Sequence, residues 1–349
     1  MRMLTQSVAR VAWMLCTALA LSRALPAQTP SGSQPAASAL QAKIPQQRGA
    51  KSPQAKRRKH AKASAGKPRV HVRARTDSLL AARWPVKSPP LLNGALLPKR
   101  RIIAFYGTPA SKRMGILGEL PPKIMLAQLD AEVARWRAAD RSVETVPALH
   151  LIAVVAQHAP GRDGKYRRRT ADTTIQRVLE WAAPRHALVF LDIQLGRSTL
   201  AEELPHFEKF LKRPDVHLGI DPEFAMSATQ KPGRNMGAID AADVNTATQF
   251  LTQVVNREKL PPKILVLHRF TRKGIKNAQR ISLDARVQIV VSMDGFGSPS
   301  LKKRSYHDYV LADPVEFAGW KQFYKNDKPR TAISVILKLW PVPFYIQYQ

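Results

Sequence analysis

Apolar runs of strand length recur along the second two-thirds of the chain, each followed by a longer stretch with helical spacing. The runs are RIIAFYG (101–107), ALHLIAVVAQ (148–157), HALVFLDIQLG (186–196), VHLGIDPEF (216–224), KILVLHRF (263–270), VQIVVSMDGFG (287–297), FAGWKQFY (317–324) and PFYIQYQ (343–349). Between them lie amphipathic stretches at 122–139, 173–183, 201–213, 241–258 and 305–312. Near-continuous Val, Ile and Leu in strands that alternate with helices predict a parallel sheet covered on both faces. Eight such strands in a region of about 250 residues predict a (β/α)8 TIM-like barrel, an α/β fold. A doubly wound open sheet is the competing arrangement. The turn after the first strand, GTPASKRMG, lacks the G-x-G-x-x-G phosphate signature, and no Walker glycine loop occurs elsewhere.

The pattern before residue 99 is different. MRMLTQSVAR carries Arg2 and Arg10, VAWMLCTALAL is an apolar core, and small residues offer cleavage near Ala27, so residues 1–27 read as a signal peptide. The apolar run falls short of the ~20 residues a membrane span needs, so no transmembrane span is expected in the mature chain. Cys16 is the only cysteine and lies in that run, which leaves an exported protein without thiol or disulfide chemistry. Residues 28–98 are rich in Ala, Pro, Ser, Gln, Lys and Arg without apolar periodicity, and read as a disordered basic linker. The barrel region is then 99–349.

Charge sharpens that division. The whole chain carries +31; its first 100 residues hold 19 Lys and Arg against Asp77 alone, a balance of +18. The densest part, 51–75, suits an anionic surface such as an envelope polymer or lipid headgroups. A solvated linker without a partner is the plainer reading. No specific nucleic-acid partner is expected, because aromatic residues for base stacking are not interleaved with the basic run. Periplasm, cell envelope or extracellular space is the expected location.

Barrels place their chemistry at the C-terminal ends of their strands. Here those ends are polar: Tyr106; Gln157 and His158; Asp192 and Gln194; Asp221 and Glu223; His268; Ser292 and Asp294; Lys321 and Tyr324. Period-2 alternation puts Asp192 with Gln194 on one face, and Gly219 with Asp221 and Glu223. Pro222 donates no ladder hydrogen bond and fits the point where pairing stops. Two carboxylates at i and i+2 have Cα atoms ~6.6 Å apart, which suits either standard glycosidase spacing. Acetal hydrolysis needs a protonated acid and an anionic partner, and crowded carboxylates push pKa values apart. Glu223 is then the acid, with Asp221 or Asp192 as nucleophile, base or stabiliser. Tyr106, Gln157, His158, Gln194, His268, Asp294, Lys321 and Tyr324 are candidate substrate-binding residues. The alternative is that these acids merely pair with Arg197, Arg269 and Lys321. No cofactor is expected, and no metal, since no H-x-x-x-H or similar ligand spacing occurs.

The motifs FYGTP and GILGE, AQHAPGRDGKY, LDIQLGR, IDPEF, AADVN, LVLHRF, MDGFG and FYKND run through nearly the whole of residues 100–349. Through them the chain resembles an uncharacterised family of exported and lipid-anchored bacterial TIM-barrel-like proteins, some named for cell-wall-binding repeats. The D-x-E of IDPEF is also distantly similar to the strand-end D-x-E of lysozyme-type glycoside hydrolases that cut peptidoglycan. That likeness implies a glycoside-hydrolase-like protein acting on a cell-envelope or extracellular polysaccharide. Tyr106 stands near the place of the strand-one aspartate of those lysozymes, so a non-catalytic barrel that binds glycan or a cell-surface partner is the second expectation.

Overall fold

The computed structural model describes residues 77–349; the expected signal peptide and residues 28–76 of the expected linker lie outside the described residues. Eight strands form one closed parallel barrel: β1 (Arg100–Gly107), β2 (Glu144–Ala156), β3 (Leu188–Ile193), β4 (Val216–Ile220), β5 (Lys263–Arg269), β6 (Val287–Met293), β7 (Phe317–Gln322) and β8 (Tyr345–Tyr348). Closure is visible at Ile102, which faces Val146 of β2 on one side and Tyr345 of β8 on the other. A short strand, Arg167–Arg169, adds antiparallel to the end of β2. The (β/α)8 expectation is therefore met, strand for strand.

Among the described residues, five helices of eight residues or more lie outside the strands: α1 (Pro122–Ala139), α2 (Asp172–Ala182), α3 (Leu200–Leu211), α4 (Ala241–Glu258) and α5 (Pro299–Tyr306). Local chemistry sets their starts. Thr199 and Glu202 form a capping box on α3, and Asp240 and Asp243 form one on α4. The last helix begins earlier than the apolar spacing at 305–312 predicts, because Ser298 caps it and Pro299 takes its first turn. Residues 307–311 continue it as a wider turn. Among the described residues, no helix is long and apolar enough to cross a membrane.

The barrel interior has two layers of opposite character. Toward the N-terminal ends, Ile102, Ala104, Ala148, Phe190, Ile264, Val266, Val290 and Tyr345 form an apolar plug closed by Leu97. Above it, Tyr106, His150, Asp192, His268, Ser292, Lys321 and Gln347 are buried on the same inward faces. Polar side chains in such a place are costly unless mutually satisfied, so this layer is where function concentrates.

The packed chain starts before the linker's expected end at Pro98. Trp84 is buried and donates to the Leu311 carbonyl. Leu97 is fully buried, with its N–H and C=O both bonded to the Gln288 amide. Residues 77–98 therefore join the barrel, and disorder does not describe that part.

Candidate functional site

The C-terminal mouth holds a cavity of about 260 Å³ lined by Asp221, Glu223, Asp294, Phe270, Phe296 and Phe323, with Lys112, Arg113 and Lys325 among its other lining residues. β4 ends at Ile220; Asp221 is still extended, but Pro222–Phe224 forms a single 3-10 turn. Glu223 thus reaches the mouth through that turn and not by strand alternation. Its Oε1 accepts N–H bonds from Phe270 (2.9 Å) and Thr271 (3.3 Å), which fixes the carboxyl against the β5 loop.

Asp221 and Glu223 flank Pro222 at that turn, and their carboxyls influence each other. Burial and the adjoining Asp221 raise Glu223 well above the ordinary glutamate range. Burial pushes Asp221 up to about 6, with Asp192 and Asp294 adding to it while His268 and Lys321 oppose. Both shifts favour the protonated carboxyl over the carboxylate. Asp294 behaves in the opposite way. Burial works against its charge, yet Lys321 (Nζ 2.7 Å away) and His268 (Nδ1 3.1 Å away) outweigh it and keep Asp294 ionised. The mouth thus sets two carboxyls pushed toward protonation beside one held toward its charged form.

Beneath the mouth, Asp192 accepts from the Tyr106 hydroxyl (3.0 Å), and Gln194 donates to the same hydroxyl (3.2 Å) while receiving the Ala156 N–H. His150 Nε2 and His268 Nε2 approach Asp192 Oδ1 at 3.4 and 3.5 Å. Burial disfavours a charge on His268, but Asp192 and Asp294 overcome it and raise its pKa. Burial holds His150 down to about 4, so it stays neutral.

Of the sequence candidates, Asp221, Glu223 and Asp294 line the mouth cavity. Tyr106, Gln194, His268 and Lys321 form its buried support. Asp192 is a candidate that does not line it: it is fully buried below the cavity, where Tyr106, His150 and His268 surround it. Tyr324 is another. It turns to the outside of the barrel, donates to Glu132 (2.8 Å) and packs on Phe105 and Tyr348. Gln157 bonds back to its own strand end, and His158 is exposed on the loop beyond; neither lines the cavity.

Sequence reasoning missed His150 and the three phenylalanines. His150 sits at an inward parity between Ala148 and Ile152 in an apolar run, a signal that was readable. Phe270, Phe296 and Phe323 each follow a polar strand end within two residues, and their rings meet in sequence, the first pair tilted and the second edge-to-face, at centroid separations of 5.9 and 5.7 Å.

Fold and site together define an α/β barrel with a carboxylate pair at the floor of an aromatic-walled mouth. No family model and no curated protein matches the chain. Among solved structures it is similar to Cellulase Cel5C_n at 13% identity and a TM-score of 0.35; the match covers 63% of this chain and 64% of that one, less than two thirds of its length.

Proposed function

We propose that the protein is an exported, glycoside-hydrolase-like barrel that acts on a cell-envelope or extracellular polysaccharide through carboxylate acid/base chemistry. One observation carries the reading: a proton-holding Asp221–Glu223 pair beside an ionised Asp294 in one aromatic-walled cavity. Acetal hydrolysis uses a carboxylic acid to protonate the leaving oxygen and an anion to meet the developing positive charge. The anionic role falls outside the Asp221–Glu223 pair, because both of its carboxyls are pushed toward protonation. The roles then divide among three groups. Glu223 donates the proton, Asp221 holds it there, and Asp294, anchored by Lys321 and His268, supplies the anionic charge. The phenylalanine faces suit the apolar faces of sugar rings. The basic segment 51–75 would hold the enzyme near anionic envelope polymers.

Purified protein is expected to release reducing ends from peptidoglycan, chitin or another glycan. Glu223→Gln should lower that release by ~100-fold or more while the folded circular-dichroism spectrum is kept. Absence of any product from the wild type on a broad glycan panel overturns the reading.

A second reading has its own support. Asp221, Glu223 and Asp294 are only 2, 3 and 6% exposed, which suits a barrel that binds glycan or a cell-surface partner without cutting it. Glycan retention that is equal in wild type and Glu223→Gln, with no product from either, is the result that selects it.

A further inference from the structure

In the polar layer below the mouth, three side-chain atoms converge that no hydrogen bond uses: His150 Nε2, Asp192 Oδ1 and His268 Nε2. All three residues are fully buried. We propose that these atoms form a divalent-metal site, suited to zinc, in the barrel interior.

The distances point to an ion and away from simple hydrogen bonds. Asp192 Oδ1 lies 3.4 Å from His150 Nε2 and 3.5 Å from His268 Nε2, and all three atoms lie within 4.8 Å of one another. N–H···O bonds cluster at ~2.9–3.0 Å, so both contacts are long. Two ligand atoms bound tetrahedrally at ~2.1 Å to one zinc ion stand ~3.4 Å apart, which matches both contacts; an octahedral edge would be nearer ~3.0 Å.

The remaining polar atoms of each ligand are held as metal ligands usually are. His268 directs Nδ1 at Asp294 (3.1 Å), and His150 directs Nδ1 at the Tyr345 hydroxyl. Asp192 uses Oδ2 for the Tyr106 hydroxyl (3.0 Å), which leaves Oδ1 for the ion. With both Nδ1 atoms donating, neutral His150 offers its Nε2 lone pair, and His268 does the same once an incoming ion displaces its second proton. Tyr345 must then give its own proton elsewhere. Gln347, whose Oε1 has no partner, can turn its amide to accept it.

The space and the charge also fit. A Cβ on Gly219 would lie 2.4 Å from His150 Nε2 and 2.7 Å from Asp192 Oδ1, so glycine is what lets these two ligand atoms come together here. Lys321 is the nearby cation, and it is drawn to Asp294 (2.7 Å) and over the Tyr106 ring (4.2 Å). Asp221, His268 and Asp294 form a second group within 4.8 Å that shares His268, and its two carboxylates line the mouth. The site is independent of the glycan reading, because its test counts metal and not turnover.

The test is metal counting on the full chain, stripped with chelator, equilibrated with Zn²⁺ and freed of excess metal. One zinc per wild-type chain is expected. The affinity should fall by at least ~100-fold in Asp192→Asn and in His150→Gln. Cobalt in place of zinc should give the intense visible bands of a four-coordinate ion in wild type. Retention of less than ~0.1 zinc per wild-type chain overturns the proposal, as does equal retention by wild type and both variants. Should either variant fail to fold, the cobalt spectrum of the wild type decides: six-coordinate or aqueous bands overturn the site.

Discussion

Asp221 is buried beside Glu223, and the cost of desolvating its charge holds its pKa near 6 against an ordinary 3.8. The folded protein therefore binds this proton more tightly than the unfolded chain does. The resulting stabilisation is complete below about pH 4 and is lost as pH rises through about 6. The shift of roughly two units bounds the effect at ~3 kcal/mol. Urea midpoints measured at pH 4 and pH 7 should differ more in wild type than in Asp221→Asn. The same substitution removes a charge that raises Glu223, so the alkaline limb of kcat/KM should move to lower pH. An unmoved limb would separate Asp221 from the acid. At this scale, alternation read the inward set of Gly219 and Asp221, as it did Asp192 and Gln194. Counting by twos lost its basis where the backbone left extended geometry. Glu223 enters by a 3-10 turn, and Tyr324 turns outward to Glu132 beyond the end of β7. Parity is a property of extended backbone and carries no information past its end.

Elements meet through contacts that no local pattern encodes. Lys302 stands in the basic run LKKR of α5 and reads as a solvated lysine, yet it is fully buried. Its Nζ bonds to Asp327 and to the Lys321 carbonyl (2.6 Å). Asp327 in turn accepts the N–H groups of Gly297 and Phe323, each at 2.9 Å. One ion pair thus joins α5, the loop after β6 and the loop after β7, which carry Phe296 and Phe323 into the mouth wall. Burial lowers the Lys302 pKa to about 8 in spite of Asp327. Removing the carboxylate leaves an unpaired buried charge, so Asp327→Ala should cost ~3–5 kcal/mol in urea unfolding. Lys302→Met should cost less, because Asp327 keeps its two backbone donors and the methionine fills the lysine stem's space. Equal losses would show that the pair acts by packing alone. The strands, by contrast, were legible one by one, since each is a short Val, Ile and Leu run that parallel pairing buries on both faces.

Across the whole molecule, the expected boundary at residue 99 followed from composition, and composition hides isolated anchors. Trp84 follows one short apolar turn, Leu79 to Ala82, in a segment otherwise rich in Lys, Arg and Pro. It is nonetheless 6% exposed and bonded to the Leu311 carbonyl, while Leu97 seals the N-terminal end of the barrel through Gln288. Arg83 adds a bond to the Ala312 carbonyl, and His307 meets Asp77 at 2.9 Å. These contacts lie on the turn after α5 and on β6, far along the chain from residues 77–98, so no sequence window contains both partners. A chain starting at residue 77 should therefore be more stable than one starting at residue 99. Loss of a buried tryptophan alone costs ~3–5 kcal/mol, and the exposed barrel floor adds to it. Thermal denaturation of the two chains at one pH and salt concentration measures the difference. The same comparison with Trp84→Ala in the longer chain assigns the share owed to that side chain. Equal melting temperatures would return residues 77–98 to the linker that composition describes.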